Sequence, residues 1–279
     1  MIESFVIALR EGIEAALIVG IILGYLKKVG AHNLARPVYW GIVSGVVASI
    51  AVAGLFLALS VEFSGRFEQL FEGSTMFLAA AILTTMILWM NRNSKAYSED
   101  LKRRVESAIT RGQSYGLATL AFVSIFREGI ETVLFLGSAS FSSSGIQTLI
   151  GGTLGLGLAL LIGVAVMKYS VRLDLRTFFN ATGVLLILFA AGLVARGIHE
   201  FGEAGIIAPL VGHVYDINWL VNDNSELGRL LTALLGYDAS PSLAEVLGYV
   251  SYWVVVLVWM YRDAAADSLK RIFTSVRMT

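Results

Sequence analysis

The chain contains no cysteine, which excludes disulfides, thiolate metal sites and Cys nucleophiles and leaves the redox compartment undetermined. Histidine is scarce, with only His32, His199 and His213 in 279 residues. Net charge is zero, so the basic field that a nucleic-acid partner calls for is missing. His-Glu-x-x-His does not occur either, which removes the commonest zinc-hydrolase signature.

Apolar side chains, by contrast, are abundant. The chain is 56% hydrophobic and 15% charged, with a mean hydropathy of +0.74, more apolar surface than a soluble core of this length needs. Seven runs, at about 4–26, 37–60, 73–91, 115–137, 146–167, 177–197 and 243–261, can each cross roughly 30 Å of hydrocarbon as a helix. Strands of a membrane barrel would be shorter and alternating. The Met-Ile-Glu opening lacks a basic leader start, so the first run is expected to stay as a span. The expectation is an all-α integral membrane protein with seven transmembrane helices.

Basic residues orient it. Lys27, Lys28 and Arg36 follow the first run; Arg92, Lys95, Lys102, Arg103, Arg104 and Arg111 follow the third. Lys168, Arg172 and Arg176 follow the fifth, and Arg262, Lys270, Arg271 and Arg277 follow the last. All of these fall on one side, whereas the opposite side has only Arg66 and Arg229. The N-terminus is therefore expected outside and the C-terminus in the cytoplasm. The outward segments are acidic or, from Ser138 to Gly145, uncharged. The longest runs to about Ser242, with an amphipathic piece between Asp216 and Leu235. Acidic outer segments gather cations, though they are also what the positive-inside rule leaves behind.

Charge inside the runs needs another reason. Arg10-Glu11-Gly12-Ile13-Glu14 interrupts the first run and Arg127-Glu128-Gly129-Ile130-Glu131 the fourth. Each ionised side chain at the centre of an inserted helix costs about 2.5–3.5 kcal/mol on insertion scales. In a helix the two glutamates of each copy share a face, and each Arg can pair with the Glu four residues on. Three crossings separate the copies, so the second runs in the opposite sense. The chain is expected to hold a 3+3 inverted repeat plus one helix, a recurring transporter plan. As one transmembrane domain over 1–279, it divides into repeat one (about 1–92) and repeat two (about 114–200). An outer loop (201–242), a seventh helix (243–262) and a cytoplasmic tail (263–279) follow. If the two motif helices face each other, Glu11, Glu14, Glu128 and Glu131 converge with Arg10 and Arg127, leaving two surplus negative charges. Hard cations such as Fe³⁺, Mn²⁺ or Ca²⁺ suit such oxygens. Two symmetric copies with surplus carboxylate favour an ion path over salt bridges that merely hold helices together.

The doubled motif in spans one and four, with Arg196-Gly-Ile-His-Glu-Phe-Gly-Glu-Ala-Gly205, resembles the oxidase-coupled iron permeases, a family with bacterial EfeU-type and fungal high-affinity branches. The resemblance covers essentially the whole chain. It implies iron import across the cytoplasmic membrane, as Fe(III) or Fe(II), with the motif glutamates contacting the ion and no permanently bound cofactor. It also implies a periplasmic partner, a cupredoxin-like protein and a haem peroxidase in bacteria or a multicopper oxidase in fungi. Two alternatives stay open: a transporter of Mn, Ca or protons, and an intramembrane glutamate-dependent enzyme.

Other acidic positions invite a site. Arg196, His199, Glu200 and Glu203 share a helix face, as do Glu68 and Glu72, and together they suggest an outer access site. A capped helix end with an Arg196–Glu200 pair explains the first set equally well, and favourable charge at a helix N-terminus explains the second. Glu3, one heptad before Arg10, is placed to line an outer vestibule. The spacings Gly20/Gly24, Gly41/Gly45 and Gly151/Gly155 predict close helix contacts. Trp89, Trp253 and Trp259 are interface or packing residues, and the basic loop 92–111 sets topology.

Overall fold

The computed structural model describes the backbone of residues 1–110, 114–141, 145–169, 175–207, 211–223 and 225–276. Arg111, Arg172 and Arg277, three of the basic residues used to orient the chain, lie outside these, as do residues 142–144 of the uncharged outer segment.

In order come α1 (Ile2–Lys28), a 3-10 turn (His32–Leu34), α2 (Ala35–Glu62), α3 (Arg66–Thr110) and α4 (Ser114–Ser140). α5 (Gly145–Tyr169), α6 (Leu175–Glu203), α7 (Glu226–Leu235) and α8 (Leu243–Val276) follow. The described residues contain no strand.

Among the described residues, five stretches are long and apolar enough to cross a membrane: His32–Ser60, Arg66–Met90, Gly145–Val166, Thr177–Glu203 and Leu243–Tyr261. α1 and α4 are also long, at 27 residues each, but each carries the Arg-Glu-x-x-Glu set in its middle. Charge, not length, separates these two from the rest. α3 runs to 45 residues because the sequence beyond Met90 stays helix-forming after it stops being apolar. An exposed Arg104–Asp100 pair at 2.7 Å, one turn apart, supports that extension.

Packing is by exchange. α1 lies mainly on α5, α2 mainly on α4, and α3 mainly on α6. Small residues let the first two pairs close up. Gly151 of α5 meets the Met1 carbonyl, and Gly155 meets Phe5 and Ala8. Gly41 of α2 meets the Ala118 carbonyl, and Gly45 meets Phe122 and Ile125. Met1, Phe5 and Ala8 sit 117 positions before Ala118, Phe122 and Ile125, the same offset that separates the two charged motifs. The two contacts therefore use matching positions, and in both the helices run parallel. α3 and α6 run antiparallel, with Gly73 against Phe201 and Gly183 against Ile87. Gly24 faces open space, so the Gly20/Gly24 spacing makes no such contact there.

One buried core joins Ile7, Leu83, Phe135, Leu186 and Leu193 from α1, α3, α4 and α6. Trp40, Ile50 and Leu55 on α2, Leu149 and Leu160 on α5, and Val255 and Val258 on α8 are exposed. Apolar surface this extensive suits a helix face turned to lipid, not to water.

The outer segment folds back on the bundle. Val214 and Ile217 donate backbone hydrogen bonds to Pro241 and Ala239, tying its two arms together. The expected amphipathic piece shrinks to α7. Asp216 turns the chain by accepting from the Asn218 N–H, and Ser225 then caps the helix by accepting from the Gly228 N–H at 2.9 Å. Gly236, at φ +68°, ends α7 in the left-handed conformation and rests on Gly192 of α6. Gly192 precedes the end of α6 by eleven residues, so that contact lies about 16 Å down the helix.

Candidate cation site

The buried face of α1 carries Glu3, Ile7, Arg10, Glu11, Ile18 and Ile22, and that of α4 carries Leu117, Ala121, Glu128, Glu131, Phe135 and Ser138. Recurrence at three and four residues places the charged groups on the stripe that an apolar pattern would give to core residues. The glycine inside each motif decides how deep that stripe lies. A Cβ at Gly12 would come within 2.6 Å of the Ala159 Cβ on α5, and one at Gly129 would overlap the Ser49 hydroxyl on α2.

α1 and α4 meet at the motifs. One carboxylate oxygen from each of Glu11, Glu128 and Glu131 falls within 4.8 Å of the others, and all three residues are buried. Glu14 stands beside this trio, with its Oε1 2.9 Å from Arg10 Nη2. Three of the glutamates each keep one buried oxygen with no hydrogen-bond partner, Glu11 Oε2, Glu128 Oε2 and Glu131 Oε2, whereas Glu14 Oε1 is taken up by its ion pair with Arg10. Unmade bonds to buried carboxylates are costly. Such an arrangement has spare ligand capacity of the kind a hard cation takes up.

The two arginines differ. Arg10 is 1% exposed and reaches Glu11 Oε1 at 2.7 Å and Glu14 at 2.9 Å. The same Nη1 and Nη2 also face Met86 Sδ and Met90 Sδ, the guanidinium sits over the Phe179 ring, and Nε is buried without a hydrogen-bond partner. Arg127 pairs with Glu131 at 2.7 Å, yet its side chain is 49% exposed. It opens into a cavity of about 400 Å³ shared with Met86, Trp89 and Trp259. Trp89 and Trp259 thus line a cavity, while Trp253 packs edge-on against Tyr249 and Tyr252.

The outer residues make a looser group. Glu72 lies within electrostatic reach of Glu68 and Glu200, so the ends of α3 and α6 bring those three near one another. His199 turns away, its Nδ1 3.1 Å from Glu245 Oε1 at the start of α8. Glu203 is exposed. None of these five belongs to a metal-ligand cluster among the described residues. The Arg196–Glu200 pair does not form; Arg196 Nη2 instead donates to the Thr232 carbonyl of α7 at 2.9 Å. Within the loop, burial pushes the Asp238 carboxyl up, while the Asn218 backbone N–H holds Asp216 down.

Glu245, Met86 and Met90 drew no attention as sequence. A carboxylate in the first turn of α8 looks like simple dipole complementation, and methionines in an apolar run look like filler. A Gly-x-Ser-x-Gly string does occur at 112–116, but Ser114 simply opens α4. The strand-to-helix elbow that gives this string its chemistry has no strand here among the described residues.

Comparison with known proteins points the same way as the doubled motif. Residues 1–269 match the model of the Iron permease FTR1 family. The chain is 35% identical over 263 residues to the ferrous iron permease EfeU of Yersinia pestis, covering 94% of this chain and 93% of that one. It is 33% identical over 260 residues to the EfeU permease of Escherichia coli, covering 92% and 94%. An uncharacterised protein of Archaeoglobus fulgidus is 34% identical over 273 residues, covering 94% and 95%. No solved structure matches.

Proposed function

Starting from a chain that belongs to the iron permease family, we propose that it imports iron through Glu11, Glu14, Glu128 and Glu131, which the ion meets midway across the inner membrane. The observation that carries this reading is the buried convergence of Glu11, Glu128 and Glu131 with a donor-free oxygen on each. The protein is a multi-pass membrane permease, and the alternative of an intramembrane enzyme is set aside.

The cargo in this reading is Fe²⁺. The bacterial relatives are named ferrous permeases, and four glutamates against two arginines leave two negative charges, which one divalent ion balances. Arg10 keeps two carboxylates ionised and fixed, since guanidinium does not give up its proton in a protein. α1 to α6 and α8 supply seven crossings, N-terminus outside, with α1–α3 and α4–α6 as inverted repeats. Support for the repeat comes from the matching offset between the α1–α5 and α2–α4 contacts. Because those contacts cross between repeats, the bodies that move are α1 with α5 and α2 with α4, not one repeat against the other. Glu68, Glu72 and Glu200 form an acidic mouth, where a periplasmic iron-handling protein delivers the ion.

Uptake of radioactive iron into proteoliposomes tests this, comparing wild type with Glu11→Gln and Glu131→Gln. Each substitution is expected to bring uptake to background while the protein still inserts. Uptake equal to wild type in both would make the motif structural. Competition by Mn²⁺ or Ca²⁺ at equimolar concentration would move the cargo assignment to that ion.

A further inference from the structure

Glu3 has no role in the site described above, yet it is 2% exposed and neither of its carboxylate oxygens receives a hydrogen bond. It lies on the α1 face that carries Ile7, Arg10 and Glu11, eight residues and about 12 Å above Glu11. It belongs to the outer end of the molecule, because Arg196, in the last third of α6, is the charged side chain facing it. The amino terminus is also within electrostatic reach. Arg196 does not close on Glu3: its guanidinium is held by the Thr232 carbonyl, with Asp238 also within electrostatic reach.

The internal offset sharpens the point. Adding 117 to Glu3 gives Leu120, so the second copy has an apolar residue where the first has this acid. A buried carboxylate that helix packing alone required would have a donor, as Glu131 has in Arg127. Glu3 has none, and it is present only on the outer side.

We propose that Glu3 is a second cation station, which takes a divalent ion between the Glu72–Glu200 mouth and the central glutamates. This inference rests on the import reading above. One carboxylate beside an arginine binds more weakly than the central trio, as suits a transient stop on the way in. Leu120 leaves the inner side without a matching stop, so an ion leaving the centre inward meets no second carboxylate of this kind.

The test measures equilibrium binding of ⁵⁵Fe²⁺, kept reduced with ascorbate under argon, to the purified full chain in detergent, together with uptake by the reconstituted protein. Wild type is expected to bind two ions per chain, one tightly and one weakly. Glu3→Gln is expected to lose the weak ion and raise the half-saturating iron concentration for uptake about tenfold. Glu3→Asp, which keeps the charge, is expected to retain both ions. Full wild-type stoichiometry and half-saturation in Glu3→Gln would overturn the proposal. A lowered Tm in both variants, with unchanged stoichiometry in the folded fraction, would also overturn it and make Glu3 structural. A wild type that neither binds nor transports iron would sink the import reading itself. Transport abolished by Glu11→Gln and untouched by Glu3→Gln would sink only this one.

Discussion

The two Arg-Glu-Gly-Ile-Glu copies have identical sequences and different surroundings. In α1 the arginine is sealed between two carboxylates, two thioethers and a phenyl ring; in α4 it pairs with Glu131 at the edge of a cavity. The difference comes from their neighbours. α1 is covered by α5, α4, α3 and α6 and so has no open flank at Arg10, whereas Arg127 points toward the gap that Trp89 and Trp259 line. Arg10 is enclosed on all sides, and Arg127 keeps about half of its side chain exposed while paired with Glu131.

Removing each arginine in turn should break the comparison most sharply. Arg10→Ala strands Glu11 and Glu14 in the core and is expected to cost about 3–5 kcal/mol, as for a severed buried pair. Arg127→Ala should cost about 1 kcal/mol or less, as for a half-exposed one. Thermal unfolding in detergent reads both, and equal losses would mean that the two copies are energetically alike.

The motif glycines give the next largest effect. Gly129→Ala drives a methyl group into Ser49 and is expected to cost about 1–3 kcal/mol by overpacking. Ser49→Gly should restore most of it, while Gly12→Ala should need Ala159→Gly instead. Rescue by the wrong partner would contradict the exchanged packing. The smallest effect belongs to Arg127→Lys, which keeps the charge and loses only the guanidinium geometry. Uptake should fall less than about threefold, whereas Arg10→Lys, with several fixed contacts to lose, should fall at least about tenfold.

The sequence made the membrane helices and the meeting of the two charged motifs legible for physical reasons. Hydrocarbon tolerates charge so poorly that a repeated charged motif stands out, and apolar length reports a span directly. Apolar length does not report where a helix ends, which is why α3 and α8 run far past their apolar runs. The start of α7 was set by the Ser225 cap, and the wider amphipathic pattern from Asp216 did not show that. The His199–Glu245 contact joins residues 46 positions apart, and no local spacing encodes such a pair. The unequal burial of Arg10 and Arg127 was likewise out of reach, since it depends on which helices cover each copy.

The exchange of partners between the halves has a consequence for how the chain is made. When α1 and α2 leave the ribosome, neither α5 nor α4 has been synthesised, so their glycine-lined faces meet only lipid. Arg10 already has Glu11 and Glu14 within its own helix, and this local pairing leaves the motif with a single surplus negative charge before any partner arrives. α4 carries the same provision in Arg127 and Glu131. A nascent first half therefore waits in the bilayer with its charges paired locally, one carboxylate in surplus, and its packing faces unfilled. The glutamate cluster assembles only once α4 has been translated, and the pairing of α1 with α5 only after that.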